Sequence, residues 1–275
     1  MSGGPANVIL PSPPSAPPAP GPLRKELAPA LAIVAVTLAV EMGIFFLAYG
    51  SDLGLRQSAS ATLLAAAVWT ALAAPIFGAG ARGALRSLIR AGLVADATLL
   101  SLLVIWAWWN GHSSPSGQLP EMTFTSILEV YCTFAAMTVL AAGAVNCPRG
   151  AAGRHIVAVA VAACMMFALA SPLWSGGLIV ATDDAPRTLV ADMAVWLNPF
   201  YSIAASLIDS LNYVIQQEPV MYRLTLIGDY VPAPACPWYV ATAIYLPLGI
   251  LMLILKALRT ARGSCVIDPP AAPRA

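Results

Sequence analysis

Charge is what this sequence has least of. Asp, Glu, Lys and Arg make up 10% of its 275 residues and hydrophobic residues 59%, whereas a soluble domain carries roughly 25% charged residues. With a mean hydropathy of +0.77, a water-soluble globule is excluded and lipid must be the solvent for most of the chain. Metal-binding and nucleophilic patterns are also missing. The five cysteines, Cys132, Cys147, Cys164, Cys236 and Cys265, form no CxxC pair and no zinc spacing, so neither a metal site nor a disulfide framework is expected. No HExxH, GxSxG or Walker phosphate loop occurs. No cofactor is therefore expected, and if ATP drives this protein the ATPase is another chain. The formal net charge of +1 gives no reason to expect nucleic acid as a partner.

What is present is a series of apolar runs. A hydrocarbon core about 30 Å thick needs roughly 20 helical residues, and runs of that length lie near 28–50, 58–79, 92–110, 123–145, 155–174 and 238–256. The reading is all-α, a polytopic membrane protein with six spans and its two ends on one side. Basic residues then alternate between faces. Arg24 and Lys25, then Arg82, Arg86 and Arg90, then Arg149 and Arg154, then Lys256, Arg259 and Arg262 share one face, and only Arg56, Arg187 and Arg223 lie opposite. By the positive-inside rule the basic face, with both termini, is cytoplasmic. Trp106, Trp108 and Trp109 fall at the outer end of span three, where aromatic rings favour the headgroup layer. Residues 1–22, crowded with Pro, Ala, Ser and Gly, read as a disordered tail, 23–262 as the membrane domain and 263–275 as a C-terminal tail.

The connection between spans five and six, roughly 175 to 237, is the one long extramembrane segment. Asn198 followed by Pro199 reads as a helix start, an N-cap and then a proline at the first helical position. Phe200, Ile203, Ala204, Leu207, Ile208, Leu211 and Ile215 recur at helical spacing, with Asp209, Asn212 and Gln216 among them. This predicts an interfacial or re-entrant helix over Asn198 to Gln217, too polar to face lipid along its whole length.

Ionisable groups inside lipid cost at least about 2.5 kcal/mol, so they are the default functional candidates. Glu41 lies in the second half of span one, Glu129 in the outer third of span four and Asp96 near the inner start of span three. Glu41 and Glu129 are candidates for a polar path or relay; the plainer reading is interhelical hydrogen bonding. His112, in an outer loop, and His155, at the inner end of span five, cannot ligate one haem. Arg82, Arg86 and Arg90 recur every fourth residue and predict a basic amphipathic helix on the cytoplasmic face, resting on anionic lipid or docking a soluble partner.

Four stretches, in this order, resemble the ABC-2 type permeases, the membrane subunits of one class of ABC transporter. They are the basic lead-in Arg24-Lys25-Glu26-Leu27, Pro75-Ile76-Phe77-Gly78-Ala79-Gly80 with the basic loop after it, Ala141 to Arg149, and Leu197-Asn198-Pro199-Phe200-Tyr201. The resemblance covers most of the chain beyond the tail, although the loop from Arg82 to Arg90 lacks the Glu usual in that family. It implies a six-span permease subunit in the cell inner membrane, paired as a homodimer or heterodimer with a second permease subunit. It also implies a cytoplasmic ABC ATPase docked at Arg82, Arg86 and Arg90, with no covalent chemistry in this chain. The competing class is a non-transport membrane protein, an assembly factor or a small intramembrane enzyme using Glu41 and Glu129.

Overall fold

The computed structural model describes residues 22–51, 54–112, 122–148, 150–182, 184–207 and 237–264. Both tails therefore lie almost wholly outside the described residues, as does the second half of the helix expected over Asn198 to Gln217. The described chain forms nine helices: α1 (Pro22–Gly50), α2 (Leu55–Ala79), α3 (Ala84–His112), α4 (Phe124–Val145), α5 (Ala151–Leu169), α6 (Ser171–Ala181), α7 (Asp184–Trp196), α8 (Pro199–Ser206) and α9 (Val240–Ser264). Six of them, α1 to α5 and α9, are long and apolar enough to cross a membrane, which is the expected all-α six-span architecture.

α2 and α4 form the centre. More than half of each span is buried, against less than a quarter for α1, α5 and α9. Their sequences explain the difference. The inward stripe of α2 is made of small residues, including Ala59, Ala66, Ala67, Ala71 and Ala74, each at most 2% exposed, and small side chains let helix backbones approach where lipid supplies no hydrophobic drive. α4 meets α9 backbone to backbone at Gly143 and Gly249. A Cβ on Gly143 would sit 2.5 Å from the Gly249 carbonyl oxygen, and one on Gly249 would sit 2.7 Å from the Leu140 nitrogen. Among the described residues α1 packs chiefly on α2 and α3, through the stripe Ile33, Thr37, Glu41, Phe45 and Ala48, while Leu31, Phe46 and Leu47 face outward. The spacing of three or four residues along that stripe is the helical repeat itself.

Three boundaries differ from those expected. α3 starts at Ala84 rather than at 92, because Gly83 adopts φ +99 and reverses the chain, after which Ala, Leu and Arg favour helix without a break. Arg82, Arg86 and Arg90 therefore do not form a separate amphipathic helix. Arg82 sits in the turn, and Arg86 and Arg90 occupy the first two turns of the third span. α5 ends at Leu169, because Pro172 opens a new helix, α6, at its first turn. The region before Asn198, expected to be a connection, folds as an α6–α7 hairpin closed by Ile179, Ala191 and Val195. One placement in the aromatic belt also differs: Trp109 is fully buried in the core, and only Trp106 and Trp108 of that trio are half-buried.

The first part of the helix predicted at Asn198 forms, as α8 from Pro199 to Ser206. Ser202, Ile203, Ser206 and Leu207 are buried, and α8 packs on α4. Ile203 and Leu207 join the core that holds Ile127 and Val130, so α8 is a half-helix folded into the bundle end where α4 begins.

Candidate functional site

The bundle has two differently built ends and one polar seam between them. At the end where α2 turns into α3, Gly78 of α2 is pressed against Ser87 Oγ and Val145 Cγ2, each within 3.3 Å of where its Cβ would lie. The carbonyls of the turn that follows are taken up by arginines. Arg90 donates to the Gly80 carbonyl at 3.3 Å, and Arg154, from the first turn of α5, donates to the Ala81 carbonyl. Arg82 and Arg86 are exposed beside them. Of the three arginines assigned to docking, two thus face solvent and the third also closes the turn. Arg154 was counted only toward orientation, and its 73-residue reach to Ala81 has no signature in the sequence.

At the opposite end Asn198 is a hub. Its Oδ1 accepts from the Phe200 amide at 2.9 Å, the cap expected of it. Its Nδ2 donates to the Leu169 carbonyl and lies 3.2 Å from Ser171 Oγ, and Ser171 donates to the Ala194 carbonyl at 2.6 Å. Ser202 Oγ accepts from the Ala241 amide at 3.1 Å, and Tyr245 donates to the Leu197 carbonyl. One buried asparagine and its neighbours thereby tie together the end of α5, the α6–α7 hairpin, α8 and the start of α9.

The seam lies where α1 meets α2 and α3. Trp69 Nε1 of α2 donates to Thr37 Oγ1 at 3.0 Å. One turn further along α1, Glu41 is 0% exposed and its Oε1 accepts from Thr98 of α3 at 2.6 Å. Its Oε2 has no hydrogen-bond partner. Ser101, one turn beyond Thr98, is buried, and its hydroxyl is within reach of the same carboxyl. Thr37, Trp69, Thr98 and Ser101 were not identified from the sequence, since each lies on another turn or another helix. The signal that could have found Thr37 is its position four residues from Glu41 on a stripe ending in Phe45.

The other carboxyls have different surroundings. Glu129 is half-buried in the second turn of α4, and the two glutamates share no hydrogen-bond partner among the described residues. Asp96 is exposed on α3, about 18 Å along the helix from Ala84 at 1.5 Å per residue, and accepts from the Tyr131 hydroxyl at 2.8 Å. Asp96 and Thr98 are two residues apart, about 200° around the helix, so α3 carries one polar contact on each side. His155 is exposed at the start of α5 and His112 is the last residue of α3. No group of three or more His, Cys, Asp or Glu that could hold a metal occurs among the described residues.

Set against family models, curated proteins and solved structures, the chain matches none.

Proposed function

We propose that this chain is the membrane-spanning permease subunit of an ATP-driven ABC-2 type transporter. In this reading it works in the cytoplasmic membrane with a separate ATPase and a second permease subunit, and both termini are cytoplasmic. The observation that carries the reading is the pairing of two unlike ends. A short helix capped by Asn198 is folded into one end between spans five and six, and exposed arginines, Arg82 in the α2–α3 turn and Arg86 in the first turn of α3, stand at the other. A pump driven from outside the membrane needs these two features, a surface that receives the push and a mobile or sealed end where the pathway opens. ATP-driven closure of the partner would press on the turn at 80–83 and the first turns of α3, and the bundle would rock between two arrangements. An intramembrane enzyme using Glu41 and Glu129 is less well supported, because one carboxyl is sealed between α1 and α3 while the other is half-buried on α4.

The test is reconstitution from the native host. Tagged protein solubilised in detergent should bring down an ATPase, and vesicles holding the complex should move a substrate only with hydrolysable ATP. If no ATPase accompanies the protein and no ATP-linked movement occurs, the permease reading fails.

A further inference from the structure

The Glu41 seam has more polar atoms than its hydrogen bonds use. Two buried oxygens, Glu41 Oε2 and Ser101 Oγ, meet there: neither makes a hydrogen bond of good geometry, yet the Ser101 hydroxyl is within reach of the Glu41 carboxyl. A third, Thr98 Oγ1, has one proton to share between the Val94 carbonyl at 3.0 Å and Glu41 Oε1 at 2.6 Å. A hydroxyl has one donor and two acceptor positions and rotates freely. Thr98 and Ser101 can therefore donate to a bare carboxylate or turn their lone pairs toward a cation beside it.

A carboxyl in lipid is costly without a counter-charge, and the helices packed on α1 supply none here. Arg56 stands at the first turn of α2, Arg86 and Arg90 at the first two turns of α3, and Asp96 on the side of α3 held by Tyr131. None of them is a hydrogen-bond partner of Glu41. A divalent ion would call for several carboxylates or carbonyls, whereas one carboxyl and two hydroxyls suit a single positive charge.

We propose that Glu41, Thr98 and Ser101 form a binding site for one monovalent cation, a proton or Na⁺. Because, among the described residues, α1 packs chiefly on α2 and α3, occupancy of this site sets how firmly α1 is seated. The site is independent of any ATPase.

The test uses the purified full-length protein in detergent, in sodium or choline chloride across a pH series. Three quantities are read: dicyclohexylcarbodiimide modification of Glu41 by mass spectrometry, the infrared carbonyl band of a protonated carboxylic acid, and the thermal unfolding midpoint. A proton site gives modification that slows several-fold as pH rises, indifferent to sodium, and an acid band that Glu41→Gln removes. A Na⁺ site gives modification that sodium slows several-fold and choline does not, with a midpoint raised by sodium and insensitive to it in Glu41→Gln. Ser101→Ala, which removes one small hydroxyl, should weaken either dependence and still fold, so it serves if Glu41→Gln does not. The proposal is overturned if Glu41 is unmodified at every pH, no acid band depends on Glu41 or Ser101, and sodium and choline give the same midpoint.

Discussion

The two ends of this bundle are held by opposite means. At the Asn198 end, buried side chains reach between segments distant in sequence: Asn198 to Leu169, Ser171 to Ala194, Ser202 to Ala241. At the arginine end the turns are short, and the carbonyls of one of them are satisfied from outside, by Arg90 and Arg154. Buried polar side chains that share partners couple the segments they join, and the bonds at the first end run between α5, the α6–α7 hairpin, α8 and α9. Arginines at a membrane boundary keep their charge in water and their stems on the bundle, so the second end stays accessible. On the proposed reading, the first end would seal and the second would dock.

Breaking the contact between α4 and α9 should have the largest effect. Gly249→Leu would drive a side chain into the backbone of Val139 and Leu140, and a loss of at least about 3 kcal/mol is expected. Thermal unfolding in detergent, with protease sensitivity of α9 as a second reading, checks it. Asn198→Leu comes next, at about 3 kcal/mol, because the Phe200 amide, the Leu169 carbonyl and Ser171 lose a partner together at roughly 1 kcal/mol each. The comparison predicts that this variant exposes the α6–α7 hairpin to hydrogen exchange along with α8. Exchange confined to α8 would mean that the end is not one unit.

Arg154→Met should cost only about 1 kcal/mol, the net worth of one hydrogen bond to the Ala81 carbonyl, and its exchange should rise only in the turn at 80–83. A loss as large as that of Asn198→Leu would erase the contrast between the ends. The smallest effect is expected for Tyr131→Phe, which removes the one bond to Asp96. Interhelical bonds in lipid average about 0.6 kcal/mol, and the unfolding midpoint should move by little more than its error.

The spans were legible in the sequence because lipid imposes a length and a polarity on every crossing segment, and the basic residues follow the same alternation. Asn198 was legible as a cap because its partner, the Phe200 amide, is two residues away. What could not be read is whatever joins distant segments. Thr98 is 57 residues from Glu41 and Arg154 is 73 from Ala81, and neither pair leaves a local pattern. The arginine stripe misled for a different reason. A four-residue repeat describes a helical face whether or not the helix stops, and here it runs on into the third span.

The central claim is that the arginine end receives a cytoplasmic ATPase, and the most direct measurement of it is co-purification with charge reversal. Replacing the exposed Arg82 and Arg86 together by Glu, with Arg90 kept because it closes the turn at Gly80, should abolish recovery of the ATPase from native-host membranes, while the unfolding midpoint stays close to that of the wild type. Undiminished recovery of the ATPase by that variant, or its loss on Asn198→Leu instead, would contradict the assignment of the two ends.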